Sequence, residues 1–272
     1  LGGLMLGLLA MQNESAYFAG VRRVPADRLW FALAELAFYV ACMGAYLQLL
    51  RRDARPRVRQ ILAIMAATNL MYHFPPFFAG LAKLARQPEI AAGTFGSREF
   101  RRLLFDPEVL AHAIHVWIAA VAVSGLTLML LALGRPGGAA PAADHRSSLA
   151  RFGARLAMFA TLLQLPVGLW VLLQSPPRFR DLLLGGELPG SLLLAAAIVM
   201  SLALLQNLTS LALTPAGLGP GERSQARRAA LWLVLIVVCM VGALRRMQQG
   251  GRPPEQTAGF RPAAAALTEE AT

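Results

Sequence analysis

From Val109 to Leu133 the chain contains no aspartate, glutamate, lysine or arginine. That run is longer than the ~20 apolar residues with which a helix crosses a bilayer. Comparable runs cover Leu29–Leu50, Gln60–Phe78, Leu149–Leu173, Leu188–Leu213 and Arg228–Leu244. In lipid, only helices and closed barrels leave no backbone polar group unpaired. The alternation of a barrel strand is absent, so the sequence predicts an all-α polytopic transmembrane helical bundle with about six full spans. A partial span runs from Leu1 to about Met11 with no basic segment before it. It reads as a truncated first span, not a signal peptide. The bundle is expected over residues 1–247. Residues 248–272, rich in Gly, Pro, Ala and Glu, read as a flexible polar tail.

Charge fits this reading. Lysine and arginine number 26 against 15 acidic residues, a net charge of +11, and the excess sits in the connections between spans. Such a pattern orients a membrane protein, so no nucleic-acid partner is expected. The short basic loops 51–59, 146–155 and 223–228 fall on one side if the spans alternate, and that side is placed in the cytoplasm. The polar connection 83–106 is also arginine-rich and argues the other way. It is expected to carry a short surface helix. Pro75-Pro76 is expected to break the end of its span, the Gly/Pro/Ala-rich segment Gly134–Ser148 to form a loop, and Pro166 to be a tolerated kink. Cys42 and Cys239 lie inside spans and outside any Cys-x-x-Cys-His motif, which gives no support to c-type haem attachment.

Few chemically capable side chains lie inside the spans. His115 sits about two turns into its run, in the segment Asp106-Pro107-Glu108 through Ile114-His115-Val116-Trp117. An imidazole at that depth needs a partner, a proton or a metal, and a neutral histidine is a standard axial ligand for haem iron. Glu35 lies about two turns into its own span, and a proton-handling role is the default for a carboxylate there. Asp27 is eight residues earlier on the same helix face, and its location also suits the first turn of a helix. His73, before Phe74-Pro75-Pro76-Phe77-Phe78, reads equally well as an interfacial histidine with one wet edge. His112 reads as a solvated or networked residue. Met200, about three turns into its span, is more often packing than an iron ligand. With alternating spans, Glu35, His73, His115 and Met200 all fall in one leaflet.

These landmarks, in this order, resemble subunit I of the cytochrome bd-type quinol oxidases. Leu103-Leu104-Phe105-Asp106-Pro107 followed by His115 resembles the family's helix bearing the histidine ligand of low-spin haem b. Ala34-Glu35-Leu36-Ala37-Phe38 resembles its acidic helix, where two glutamates eight apart serve the haem and proton region; Asp27 and Glu35 take those places. Thr68-Asn69-Leu70 and Arg228-Ala229-Ala230-Leu231-Trp232 resemble two further helix starts, and Gly251-Arg252-Pro253-Pro254 a conserved helix end. The resemblance runs from about Leu1 to Pro254. It implies one haem b with His115 as axial ligand, the sixth position filled by Met200 or His73 or left open, and Arg252 as a cofactor contact. It also implies a second multi-span membrane subunit, quinol or cytochrome c as electron donor, and a bacterial inner (cytoplasmic) membrane location.

The chain departs from the family in four places. The first helix, with the histidine for the oxygen-reactive haem, has no counterpart. The quinol-binding loop is reduced to about Gln174–Glu187. The methionine opposite the haem histidine would fall near Ala197, one turn before Met200. The glutamate ligand of the second high-spin haem would fall near Gln249. Three readings stay open on the sequence: a divergent haem b electron-transfer subunit, a complete oxygen-reducing oxidase subunit that has lost its first helix to truncation, and a haem-free membrane scaffold.

Overall fold

The computed structural model describes residues 20–86, 96–134, 140–213 and 220–250. The partial span Leu1–Met11, Arg252 and the tail after residue 250 lie outside them. Among the described residues there is no strand. After a helical turn at residues 20–23 come α1 (Ala26–Arg51), α2 (Pro56–Ala85), α3 (Ser97–Leu104), α4 (Pro107–Gly134) and α5 (Ala140–Gln174). They are followed by α6 (Pro177–Asp181), a π-helical turn (Leu182–Gly186), α7 (Leu188–Leu213) and α8 (Pro220–Gly250). Six of these helices, α1, α2, α4, α5, α7 and α8, are long and apolar enough to cross a membrane. The all-α polytopic architecture expected from the apolar runs is the one observed.

Three boundaries differ from expectation. The helix expected to break at Pro75-Pro76 continues to Ala85. The Gly134–Ser148 segment is helical from Ala140 onward, because Pro141 suits a first helical turn and Ala142-Ala143 favour helix. The last span extends at both ends, from Pro220 to Gly250, past the expected start of the tail at residue 248. The anticipated surface helix is present as α3.

The chain divides into two compact units. The first comprises residues up to Ser124 together with Phe159–Gln174; the second comprises Gly125–Met158 and the residues from Ser175 onward. Unit 1 is built on the α1–α2 hairpin, turned through Asp53 and Arg55, both with positive φ. A cluster of Val24, Leu81, Leu84 and Phe100 ties the start of α1, the end of α2 and α3 together. Arg23 fastens the same corner by donating to the Leu84 carbonyl at 2.7 Å.

Unit 2 joins the second half of α4 and the first part of α5 to α7 and α8. Its core combines Leu126, Met129, Leu204, Leu208 and Leu211 with Ala150, Ala154, Ala157, Ala226 and Ala229. Small residues let helices touch backbone to backbone, which is how helices associate where lipid removes the hydrophobic drive. At Gly125 an added Cβ would lie 2.6 Å from the Ala157 nitrogen, and at Gly153 it would lie 2.6 Å from the Gly125 carbonyl oxygen. Arg155 Nε donates to the Ala212 carbonyl at 3.2 Å, satisfying an otherwise orphaned group in the last turn of α7. The connection from α5 to α7 is short because Gly185, at φ 129°, can reverse the chain within the π turn.

Gly153→Leu is therefore expected to lower stability by at least the ~1–3 kcal/mol of an overpacked core, since the obstructing atoms are backbone. Gly44→Ala, where a Cβ meets nothing within 4 Å, is expected to be neutral or to stabilise by ~0.5–1 kcal/mol. Thermal unfolding midpoints in detergent check both; equal midpoints for Gly153→Leu and wild type would contradict the close approach.

Candidate functional site

The intramembrane polar groups of unit 1 collect on α1, α2 and α4. Glu35 stands nine residues into α1, about 13 Å from its start at ~1.5 Å per residue. Across the hairpin α2 offers Asn69 and His73, four residues apart and so on one face. Asn69 Nδ2 donates to Glu35 Oε2, and His73 Nε2 lies 3.7 Å from Glu35 Oε1. The His73 ring also takes an edge-to-face contact with Phe31, centroids 5.4 Å apart. Because α2 runs on to Ala85, His73 lies about 18 Å from that end of the helix at ~1.5 Å per residue.

That continuation has a local cause. Proline at 75 has no N–H, so the carbonyl of Met71 loses its helical donor. Trp117 Nε1, on α4, donates to the Met71 oxygen in its place. A proline kink in a span is tolerated when a neighbouring helix re-satisfies the released group.

His115 lies one turn beyond His112 on α4, about two turns from the helix start at Pro107. His112 Nδ1 lies 2.8 Å from the Glu108 carbonyl and donates to it within the same helix. His115 differs: its Nδ1 is buried with no hydrogen-bond partner among the described residues. Its own carbonyl accepts from Gln164 Nε2 of α5 at 3.0 Å. One turn further along α5, Gly168 faces the ring, and a Cβ there would stand 3.7 Å from His115 Cε1. An imidazole with an unbonded ring nitrogen, held by its backbone and faced by glycine, has the donor chemistry of a metal or haem ligand. Among the described residues no three His, Cys, Asp or Glu side chains cluster as a metal-ion site. Haem iron takes one or two protein ligands, a number that a lone histidine can supply.

Two concave spaces border on His73. One is walled by Phe31, Phe74, Phe77 and Phe100 with Arg28 at its edge; the other lies among Phe38, Met65, Asn69 and Tyr72. Neither borders on His115.

The start of α4 is fixed by charge. Asp106 Oδ1 accepts from the Glu108 backbone N–H at 3.0 Å. Lys83 Nζ lies 2.6 Å from Asp106 and 3.4 Å from Glu108, and Arg86 pairs with Glu108. Desolvation alone would raise the Asp106 carboxyl. The Lys83 hydrogen bond, the backbone N–H groups of Glu108 and Val109, and the charge of Lys83 outweigh it and hold the group below its ordinary value of 3.8.

The remaining sequence candidates stand apart from this group. Asp27 lies in the first turn of α1, where it accepts from Ser97 Oγ and lies 3.5 Å from Arg28 Nε. It shares no partner with Glu35. Met200 is half-buried on α7 in unit 2, and Ala197, one turn earlier, is fully buried there. Cys42 is buried and Cys239 half-buried, both as free thiols. Sequence reasoning passed over Trp117, Gln164 and Gly168. The missing N–H of Pro75 was the one signal for Trp117; nothing in the sequence indicated which carbonyl Gln164 would reach. Comparison with known protein families, with curated proteins and with solved structures finds no significant match.

Two outcomes follow from this geometry. Trp117→Phe leaves the Met71 carbonyl unpaired and is expected to cost ~1–3 kcal/mol, read as a lower unfolding midpoint; an unchanged midpoint would mean that another donor reaches that carbonyl. Asp106 titrates lower in the folded than in the unfolded chain, so its contribution is present above about pH 4 and is lost as pH falls through the folded value. Lys83→Met is expected to flatten the fall of the unfolding midpoint below about pH 4. Equal acid sensitivity of variant and wild type would contradict the role given to Lys83.

Proposed function

We propose that the chain is a haem b-binding electron-transfer subunit of a respiratory complex in the bacterial inner membrane, divergent from cytochrome bd-type oxidase subunit I. The observation that carries the reading is His115: a half-buried imidazole in a membrane-length helix, with a buried Nδ1 that no described residue engages. Histidines buried without a use for their nitrogens are uncommon, because an unmet polar atom in a low-dielectric interior is costly. His115 is the proposed axial ligand, with its carbonyl bond to Gln164 and the small Gly168 fixing its position. Haem b, when bound, supplies a one-electron iron couple.

The residues of unit 1 divide the other work. Glu35 is the proposed proton-handling carboxylate, with Asn69 orienting it through a hydrogen bond and His73 as the group that exchanges a proton with it. Asp27, at the helix start beside Arg28, is the proposed propionate-side or entry carboxylate. His73, in the same unit as His115, is the candidate for a second iron ligand, and Arg252 for a further cofactor contact. A second multi-span membrane subunit is the proposed partner, since Thr68 and Tyr72 are exposed at membrane depth on α2 and polar positions there call for protein neighbours. The donor would be a quinol or a cytochrome c. The short path from α5 to α7, filled by α6 and one π turn, leaves no long loop for quinol, so no quinol oxidase turnover is expected of the isolated chain.

His115→Ala is expected to remove most of the haem while the protein stays in the membrane, whereas His112→Ala, whose ring already bonds Glu108, is expected to retain it. Reduced-minus-oxidised spectra of the two variants are the measurement, and an unchanged spectrum for His115→Ala sinks the assignment. Glu35→Gln is expected to alter the pH dependence of the haem midpoint potential more than Asp27→Asn does. Indistinguishable redox titrations of Glu35→Gln and wild type would remove Glu35 from proton handling.

A further inference from the structure

Helix α3, Ser-Arg-Glu-Phe-Arg-Arg-Leu-Leu, has two unlike sides. Phe100 is fully buried, its ring 5.9 Å from that of Phe77, and it joins Leu81 and Leu84 in one cluster. Gly80 admits Leu104: a Cβ there would stand 3.3 Å from Leu104 Cδ2. The helix is thereby laid across the last turns of α2, at the end of a span. Its other side presents Arg98, Arg101 and Arg102, all exposed. No described carboxylate pairs with any of the three. The helix's own acid, Glu99, folds back over Gly96, where a Cβ would meet its Oε2 at 2.5 Å. Exposed Trp30 and Phe105 flank this end of the unit, and an amphipathic indole suits the headgroup level. These arginines lie at the opposite ends of α1 and α2 from the basic loop 51–59, so a single positive-inside bias does not account for both groups.

A second feature lies beneath α3. The concave space walled by Phe31, Phe74, Phe77, Phe100 and Leu104 is apolar except for Arg28 and His73. Arg28 Nε is buried and makes no hydrogen bond, its nearest carboxylate being Asp27 at 3.5 Å. Aromatic walls suit an acyl chain, and arginines suit phosphate, which their planar forks grip through paired hydrogen bonds.

We propose that this end of unit 1 binds an anionic phospholipid from the surrounding leaflet, its phosphate held by Arg98, Arg101 and Arg102 and one acyl chain laid in the groove beneath α3. Charge complementarity selects the headgroup, and the groove separates a lipid from a free anion. The test reads lipid and not haem, so its outcome does not depend on His115.

The test uses the full chain, delipidated in detergent and offered phosphatidylglycerol or phosphatidylcholine, with retained lipid counted by native mass spectrometry. Phosphatidylglycerol is expected to be retained in preference to phosphatidylcholine. The triple change Arg98→Gln, Arg101→Gln, Arg102→Gln is expected to reduce its retention by roughly tenfold or more. The corresponding triple change to lysine is expected to keep most of it. Arg51→Gln with Arg52→Gln, at the other end of α1, is expected to keep it all. Ala32→Phe, which fills the groove without changing charge, is expected to weaken retention as well. Undiminished phosphatidylglycerol binding by the triple glutamine variant would overturn the proposal, as would equal retention of phosphatidylcholine. Displacement of the lipid by equimolar inorganic phosphate would reduce the site to a simple anion site and overturn it too. If the triple glutamine variant does not fold, Arg101→Gln and Arg102→Gln taken singly carry the same comparison.

Discussion

A polar group without a partner costs several kcal/mol in hydrocarbon, and unit 1 is organised by that penalty. The Met71 carbonyl, freed by Pro75, is met by Trp117. The Glu35 carboxylate is met by Asn69 and His73. The carbonyl of His115 gains a second donor in Gln164. Each of these bonds joins two different helices, so the same interactions that satisfy the groups also set the contacts among α1, α2, α4 and α5. Apolar side chains could not do this, because lipid tails compete with them on equal terms. Unit 2 answers the same constraint with backbone proximity at Gly125 and Gly153.

His115 carries one of the open groups of unit 1, beside Asn69 Oδ1, Gln164 Oε1 and Arg28 Nε. Its carbonyl is satisfied and its ring nitrogen is not, whereas His112, one turn away, closes a bond within its own helix. The open nitrogen of His115 is what supports the proposal that this residue binds haem iron. The Glu35 pair sits at similar depth, about 12–18 Å from the helix ends at ~1.5 Å per residue. That depth is where a proton accompanying an electron would have to be handled.

The spans were legible in the sequence because their signal is length and apolarity, which no tertiary contact has to supply. The surface helix α3 was legible for the same kind of reason, from its polar connection. Pro75-Pro76 misled because the cost of proline is set by whether its orphaned carbonyl finds a donor. That donor, Trp117, is remote in sequence. The Gly134–Ser148 segment misled because its composition was weighed as loop, while Pro141 and the alanines after it are compatible with a helix start. For the site, residue type and depth pointed to Glu35, His73 and His115, but not to who meets whom. Asp27 and Glu35 share a helix face by period, yet a separation of eight residues puts Asp27 beside Ser97 and Arg28 and puts Glu35 beside Asn69. Periodicity gives the face; only the neighbouring helices give the partners.

The most direct measurement is the haem content of the wild-type chain. The full protein, produced with ample haem supply and purified in mild detergent, is assayed as its pyridine haemochrome against protein concentration. The account predicts haem b at close to one per chain, with an absorption spectrum that responds to dithionite. A well-folded, helical preparation that carries no haem b above trace level would contradict it and leave His115 as a buried histidine with no iron to bind.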